Sequence, residues 1–328
     1  MLTFVPAPIR GVLSLIAYAG NTLFWCAFLF PVAFVKLALP LRAWRRGCNR
    51  VLYWLVDRWV FFNNLNQSIF CKTRWEVEGA DDLDRRGWYL VVANHQSWAD
   101  IVVLQRVFHR RIPMLKFFLK KELIWVPILG MAWWALEFPF MKRYSHQFLR
   151  KHPHLVGKDL DITRTACRKF KSTPVSIMNF VEGTRFTAAK HRNQKSPHAN
   201  LLRAKAGGIA LVLGAMGEQL QQILDVTIVY PDGAANFWQF VCGRVEAVKV
   251  RVRALPIGPE LVGDYAGDRE YRTRFQSWLN SLWLEKDEFI AGSLKRPNPL
   301  GTIPAMQVVP VSSAEHINAG RLPFPDGG

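Results

Sequence analysis

The chain has 328 residues, enough for one large domain with a substantial core or two modest ones. Half of the residues are hydrophobic, 21% are charged and the net charge is +18, a balance that favours an anionic partner: nucleic acid, anionic lipid or a phosphate-bearing substrate. No period of twenty to fifty residues recurs, which excludes a solenoid, and the five scattered cysteines show no CxxC spacing, which excludes a disulfide framework or a zinc site.

In chain order, the first feature is a stretch between Arg10 and Lys36 that contains no charged residue. A helix needs about 20 apolar residues to cross the hydrocarbon core, so this one is long enough to attach the chain to a membrane. A cleaved signal peptide fits less well, because its apolar region runs to about 7–15 residues and closes on small ones. A long helix or hairpin lying in one leaflet, bent at Pro31, is the other alternative to a simple span. Arg10 stands alone before the stretch, whereas Arg42, Arg45, Arg46 and Arg50 follow it. The positive-inside bias therefore sets the body of the protein on the cytoplasmic face. Residues 41–70 read as an amphipathic helix, either lying along the interface with Trp44, Trp54 and Trp59 at headgroup depth or packing on the core.

From Trp75 onward short β-branched runs alternate with helical patterns. Strands are predicted at 74–79, 88–94, 112–117, 138–143, 175–182, 224–231 and 246–255. Helices are predicted near 98–110, 120–135, 158–172, 200–219 and 268–291. Such alternation specifies an α/β fold, a layered mixed β-sheet flanked by helices and preceded by the N-terminal membrane helix. Residues beyond 293 are rich in Pro, Gly, Ser and Ala and read as disordered. The organisation is thus membrane-anchoring and interfacial helices over 1–70, a catalytic domain over 71–292 and a tail over 293–328.

In sheets of this kind the ligand sits outside the carboxyl ends of the strands, where the notable residues fall. "VVANHQSWAD" runs from Val91 to Asp100, a strand followed by a helix. Ser97 suits the N-cap, with Asp100 three residues later in a near capping box. His95 lies in the turn, and an aspartate folded back onto one ring nitrogen leaves the other free as a base. No nucleophilic Ser or Cys is evident, so the pair suits deprotonation of a substrate hydroxyl. The second segment, "NFVEGTRFT", ends an apolar strand. There Gly183 permits a tight turn, and Glu182, Thr184 and Arg185 supply an acid, a hydroxyl and a forked cation for an oxyanion or phosphate. The third, "EFPFMKR", delivers Lys142 and Arg143 together. Arg203 and Lys205 precede Gly207 and Gly208 at a helix start, which is either a phosphate site or a close-packed glycine pair. The apolar stretch at 123–138 lines an acyl tunnel, dips into one leaflet or packs in the core.

Together the three segments resemble the glycerolipid acyltransferase superfamily, in particular the 1-acylglycerol-3-phosphate (lysophosphatidate) acyltransferases. The NHxSxxD block is matched by Asn94, His95, Ser97 and Asp100. In the G-x-x-F-I-x-R block Phe140 and Arg143 match, Met141 replaces isoleucine and Glu137 stands where glycine is expected. The F-P-E-G-T-R-S block appears as Phe180 to Phe186, with Val181 and Phe186 departing from it, and Asp225 stands where a later block has proline. The resemblance implies transfer of an acyl group from acyl-CoA or acyl-carrier protein, as co-substrate, to the hydroxyl of a lysophospholipid acceptor. It makes His95 the general base oriented by Asp100, and assigns Arg143, Glu182, Gly183, Thr184 and Arg185 to the acceptor. Neither a metal nor another cofactor is implied, and no nucleic-acid partner is expected. A remodelling acyltransferase with another acceptor and a non-catalytic, membrane-tethered lipid-binding protein are the alternatives.

Overall fold

The computed structural model of the protein describes residues 4–141, 165, 167, 170, 173–265 and 267–295. Its main sheet is built from β1 (Arg74–Glu78), β2 (Tyr89–Ala93), β3 (Leu115–Phe117), β6 (Ser176–Phe180), β7 (Gln222–Val229) and β8 (Ala247–Pro256). Their spatial order is β1-β8-β7-β2-β6-β3. Strands β7, β2, β6 and β3 run parallel, β8 is antiparallel to β7, and β1 runs with β8. The mixed sheet expected from the alternating pattern is what forms. The predicted strand at 138–143 is the exception: its described part, β5 (Phe140–Met141), pairs with β4 (Leu119–Lys120) in a separate two-stranded ladder.

The central strand β2 has no exposed residue, because both faces are covered. Val91 and Ala93 face α3 (Ala99–Phe108), whose Val103, Leu104 and Val107 are buried with them. Leu90 and Val92 face the other core, shared with α6 (Gly207–Met216) and α8 (Arg269–Ser293). Each fully buried Leu or Val contributes about 1.5–3 kcal/mol, so these two layers hold the sheet. The helix predicted from residue 200 begins only at Gly207, and the predicted helix at 158–172 lies almost wholly outside the described residues.

Buried polar contacts set how α8 docks. Lys286, wholly buried, lies 2.7 Å from Asp225 and donates to the carbonyl of Val226 at 2.6 Å. The guanidinium of Arg253 completes the neutralisation of Asp225 at 2.8 Å. Thus the departure from proline at position 225 brings in a strand residue that anchors a helix. From the same helix, Asp287 accepts the amides of Ala199 and Asn200, and the Trp283 indole donates to the carbonyl of Leu202. The loop after α5 (Ala188–Gln194) is thereby fixed against the sheet.

At the amino end α1 (Ala7–Ala38) continues through Pro31 without a break. The chain reverses only at 39–41, and α2 (Arg42–Phe70) packs back along it. Asn21 donates to Asn63 at 2.8 Å, Trp59 to Thr22 at 3.1 Å and Ser14 to Asn66 at 3.3 Å, which gives the two helices one register. Both ends of α1 also touch the catalytic domain. Gly11 allows close approach to Cys242 and Trp238 around α7 (Phe237–Val241), where any Cβ would collide. At the opposite end Lys36 pairs with Glu137 at 2.8 Å.

The helix predicted over 120–135 is divided. A 3-10 turn covers Lys121–Trp125, Pro127 interrupts, and α4 (Leu129–Ala135) follows. Two non-glycine residues in the left-handed region bracket α4, Ile128 at φ 66° and Glu137 at φ 60°. Glu137 is the position where the family block has glycine, and its backbone conformation explains that preference.

Candidate active site

The carboxyl ends of β2, β6 and β7 lie side by side, and the chain leaving each contributes to one site. Asn94 ties two of these ends together, donating to and accepting from the backbone of Ile228 at 2.8 Å each. Immediately after it, His95 Nδ1 lies 2.8 Å from Asp100 Oδ2. The same carboxylate oxygen accepts the amides of Gln96 at 2.7 Å and Ser97 at 2.9 Å. One oxygen therefore closes the turn and orients the imidazole. Capping differs in detail from the sequence expectation: Trp98 occupies the N-cap position, and the Ser97 hydroxyl accepts the Ala99 amide while donating to the carbonyl of Ala235.

Asp100 is fully buried, and its second oxygen accepts the hydroxyl of Tyr230 at 2.7 Å. Burial, reinforced by the neighbouring Asp100 charge, holds the Tyr230 pKa well above the ordinary phenol value, so the residue is a fixed donor. The His95 ring lies flat on Phe180 of β6, with centroids 3.9 Å apart and planes 12° from parallel. With Nδ1 held by Asp100 and one face covered, the ring has one orientation, and Nε2 is the ring nitrogen that Asp100 does not engage. Sequence reasoning assigns no role to Tyr230 or Phe180. Tyr230 ends a predicted strand 130 positions from Asp100, and only the adjacency of β7 to β2 brings the two together.

Glu182 departs from the acceptor contact expected of it. It is fully buried, with one oxygen on the amide of His95 at 2.8 Å and the other on the amide of Leu202 at 3.0 Å. Burial pushes its pKa up to about 8 against the pull of these two amide bonds. It braces the turn that carries His95 to the loop fixed by α8. Gly183 follows at φ 69°, a conformation glycine adopts without strain. Its open side faces Lys205, whose Nζ would meet an added Cβ at 3.3 Å. Lys190 donates to the Thr184 hydroxyl at 2.7 Å and to the carbonyl of Arg185 at 3.1 Å. Arg185 lies over the exposed Trp98 ring at 4.4 Å. Three cations, Arg185, Lys190 and Lys205, thus surround the glycine turn, whose own acid is turned inward. Arg143 lies outside the described residues. Gly208 allows close packing, with the side-chain amide of Asn179 2.5 Å from where a Cβ would stand.

Behind Phe180 the site meets an apolar cavity of about 530 Å³. Phe117, one of its walls, packs on Phe180 at 6.2 Å, so the cavity begins two rings from the imidazole. Leu29, Leu55, Leu119 and Leu136 line it further on. Among the described residues no group of three or more His, Cys, Asp or Glu side chains is placed to hold a metal ion.

The acyltransferase family model matches residues 74–231, which contain the whole of this constellation except the supporting helix α8. The 1-acyl-sn-glycerol-3-phosphate acyltransferase delta of Macaca fascicularis is 25% identical over 236 residues, covering 67% of this chain and 56% of that protein. The gamma protein of Homo sapiens is 34% identical over 183 residues, covering 52% of this chain and 44% of that protein. The chain therefore spans about half the length of these relatives. Among solved structures, the 1-acyl-sn-glycerophosphate (LPA) acyltransferase PlsC from Thermotoga maritima shares the fold, with a TM-score of 0.50 and 17% identity over 85% of this chain and 97% of that one. Sheet, flanking helices and matched motifs define an acyltransferase domain. Residues 74–231 thus match the acyltransferase family, and the chain is similar in sequence to 1-acyl-sn-glycerol-3-phosphate acyltransferases.

Proposed function

We propose that this chain transfers a fatty acyl group from acyl-CoA or acyl-carrier protein to the free hydroxyl of lysophosphatidate, giving phosphatidate. The observation that carries the reading is the 2.8 Å contact between His95 Nδ1 and Asp100 at the carboxyl edge of the sheet. Asp100 accepts from Nδ1–H, so Nε2 takes the proton of the acceptor hydroxyl as its oxygen attacks the thioester carbonyl. The tetrahedral intermediate then expels the thiolate, which receives the proton from the imidazolium. General base catalysis supplies about 10²–10⁴-fold, and positioning with oxyanion stabilisation supplies the remainder.

Arg185, Lys190 and Lys205 hold the phosphate monoester in this reading, with Arg143 added on the strength of the family motif. Thr184 and the Gly183 turn shape that pocket, while Glu182 acts through the turn it braces. The apolar cavity beyond Phe180 receives an acyl chain. Contact of α1 with the domain at both ends favours a helix lying along one leaflet over one crossing the bilayer, and the arginines that follow it favour the cytoplasmic face.

The test is acyl transfer by the purified full chain from radiolabelled donors to a panel of lysolipids. A requirement for the phosphate monoester is expected, together with a loss of at least about 10²-fold in His95→Ala at unchanged unfolding temperature. Preference for a neutral headgroup would move the reading to a lysophospholipid-remodelling enzyme. Absence of transfer to every lysolipid would leave it without support.

A further inference from the structure

The segment between β4 and β5 has two unlike faces. Its inner face is buried against the helical hairpin: Ala132 and Ala135 pack in one cluster with Cys26, Leu29 and Ala33 of α1. Its outer face exposes large apolar side chains, Trp125 at 85%, Met131 at 56% and Trp134 at 53%. Three such side chains on fifteen residues is a patch and not the scattered exposure common on soluble surfaces. The backbone is bent to present it. Ile128 enters α4 at φ 66°, costly for a β-branched residue, and Gly130 fits under the carbonyl of Ile124 where any Cβ would collide.

The neighbour of this patch identifies its occupant. The helix it packs on is 32 residues long, contains a stretch apolar enough to cross a membrane, and exposes Phe24, Phe28 and Phe34. Indole rings prefer the headgroup level, and the exposed Lys120 and Lys121 stand at the start of the segment, where anionic headgroups attract them. The Lys36–Glu137 pair fixes the end of α4 to the end of α1, so the two exposed faces share one border.

We propose that the outer face of residues 121–135 is a second membrane contact, inserted at the headgroup–acyl boundary of the leaflet that holds α1. The inner face of the same helix lines the cavity through Ala132, Trp133 and Leu136. Helix α4 is then a wall one helix thick between bilayer lipid and that cavity. The inference rests on the membrane reading of α1.

Site-specific labelling tests it on the full chain. All five native cysteines are buried, so an environment-sensitive fluorophore reports from single substitutions Met131→Cys and Trp134→Cys. Phe28→Cys on α1 and Glu218→Cys in the turn that follows α6, where Glu218 is exposed, serve as references. In vesicles of phosphatidylcholine and phosphatidylglycerol in equal parts, both α4 labels are expected to shift to the blue. They are also expected to be quenched by nitroxide lipids as Phe28→Cys is, and to be shielded from aqueous iodide. Labels at 131 and 134 that follow Glu218→Cys while Phe28→Cys is quenched would overturn the α4 contact alone. Shielding from both quenchers would overturn it too, by showing that protein covers the patch. A Phe28→Cys label open to iodide would overturn the membrane reading beneath it.

Discussion

A single carboxylate does two jobs at Asp100, and its second oxygen shows how the site is kept rigid. Tyr230 donates to that oxygen at 2.7 Å and keeps its proton, so Tyr230→Phe leaves a buried acceptor unpaired. One net hydrogen bond is worth about 1 kcal/mol, so a fall of roughly tenfold or less in kcat with KM retained is expected. Steady-state kinetics with the phosphate acceptor checks the split; a rise in KM alone would place Tyr230 in binding and not in positioning. Glu182 makes a pH prediction. Its pKa is about 8 in the folded chain against an ordinary value of 4.5, because burial disfavours the carboxylate. Between these values the folded chain holds a proton that the unfolded chain has released. This group's contribution to stability is therefore greatest at acid pH and falls as pH rises towards 8, by at most about 1.4 kcal/mol per pH unit. Glu182→Gln is expected to lower stability throughout, since its amide cannot accept from both backbone N–H groups, and to flatten that slope. Denaturant unfolding of both proteins from pH 5 to pH 8 reads the difference.

At the scale of elements, the clearest lesson lies at Glu137. A left-handed φ costs a non-glycine residue about 1–2 kcal/mol, which glycine at this position would relieve. What holds the glutamate there is Lys36, itself only 7% exposed at the end of α1. Glu137→Gly should therefore relax the backbone yet leave a buried ammonium without its partner, and a largely buried unpaired charge costs more than the strain gained. A lower unfolding temperature is expected for Glu137→Gly, with recovery in the double variant Lys36→Met/Glu137→Gly; a more stable single variant would show that the ion pair contributes little. The departure from glycine is legible in the sequence, whereas its cause is not, since the partner stands 101 positions away on another helix. The same division holds across the site. His95 and Asp100 are readable because one strand, one turn and one helix carry both. The inward turn of Glu182 depends on where the loop at 199–202 is held by α8, and no local pattern specifies that. Strand positions follow from β-branched runs and the break at Pro127 from the proline itself, but no local pattern specifies the pairing of β5 with β4 outside the main sheet.

For the whole molecule, two kinds of attraction divide the work of meeting a lipid substrate. In the proposed membrane reading, the exposed apolar faces of α1, α2 and α4 would supply an attachment that salt leaves intact, because apolar burial is not screened. In the proposed function, the net charge of +18, and the cations around the Gly183 turn in particular, would supply capture of an anionic headgroup. That second term is screened: the Debye length falls from about 10 Å at 0.1 M salt to about 3 Å at 1 M. Raising salt over this range should therefore leave the chain on neutral vesicles while raising KM for lysophosphatidate several-fold, with kcat nearly constant, since His95 and Asp100 are shielded from solvent. Flotation and initial rates on the same vesicle preparation separate the two. A loss of flotation at high salt would make charge the anchor, and a KM that does not move would leave Arg185, Lys190 and Lys205 without a role in capture.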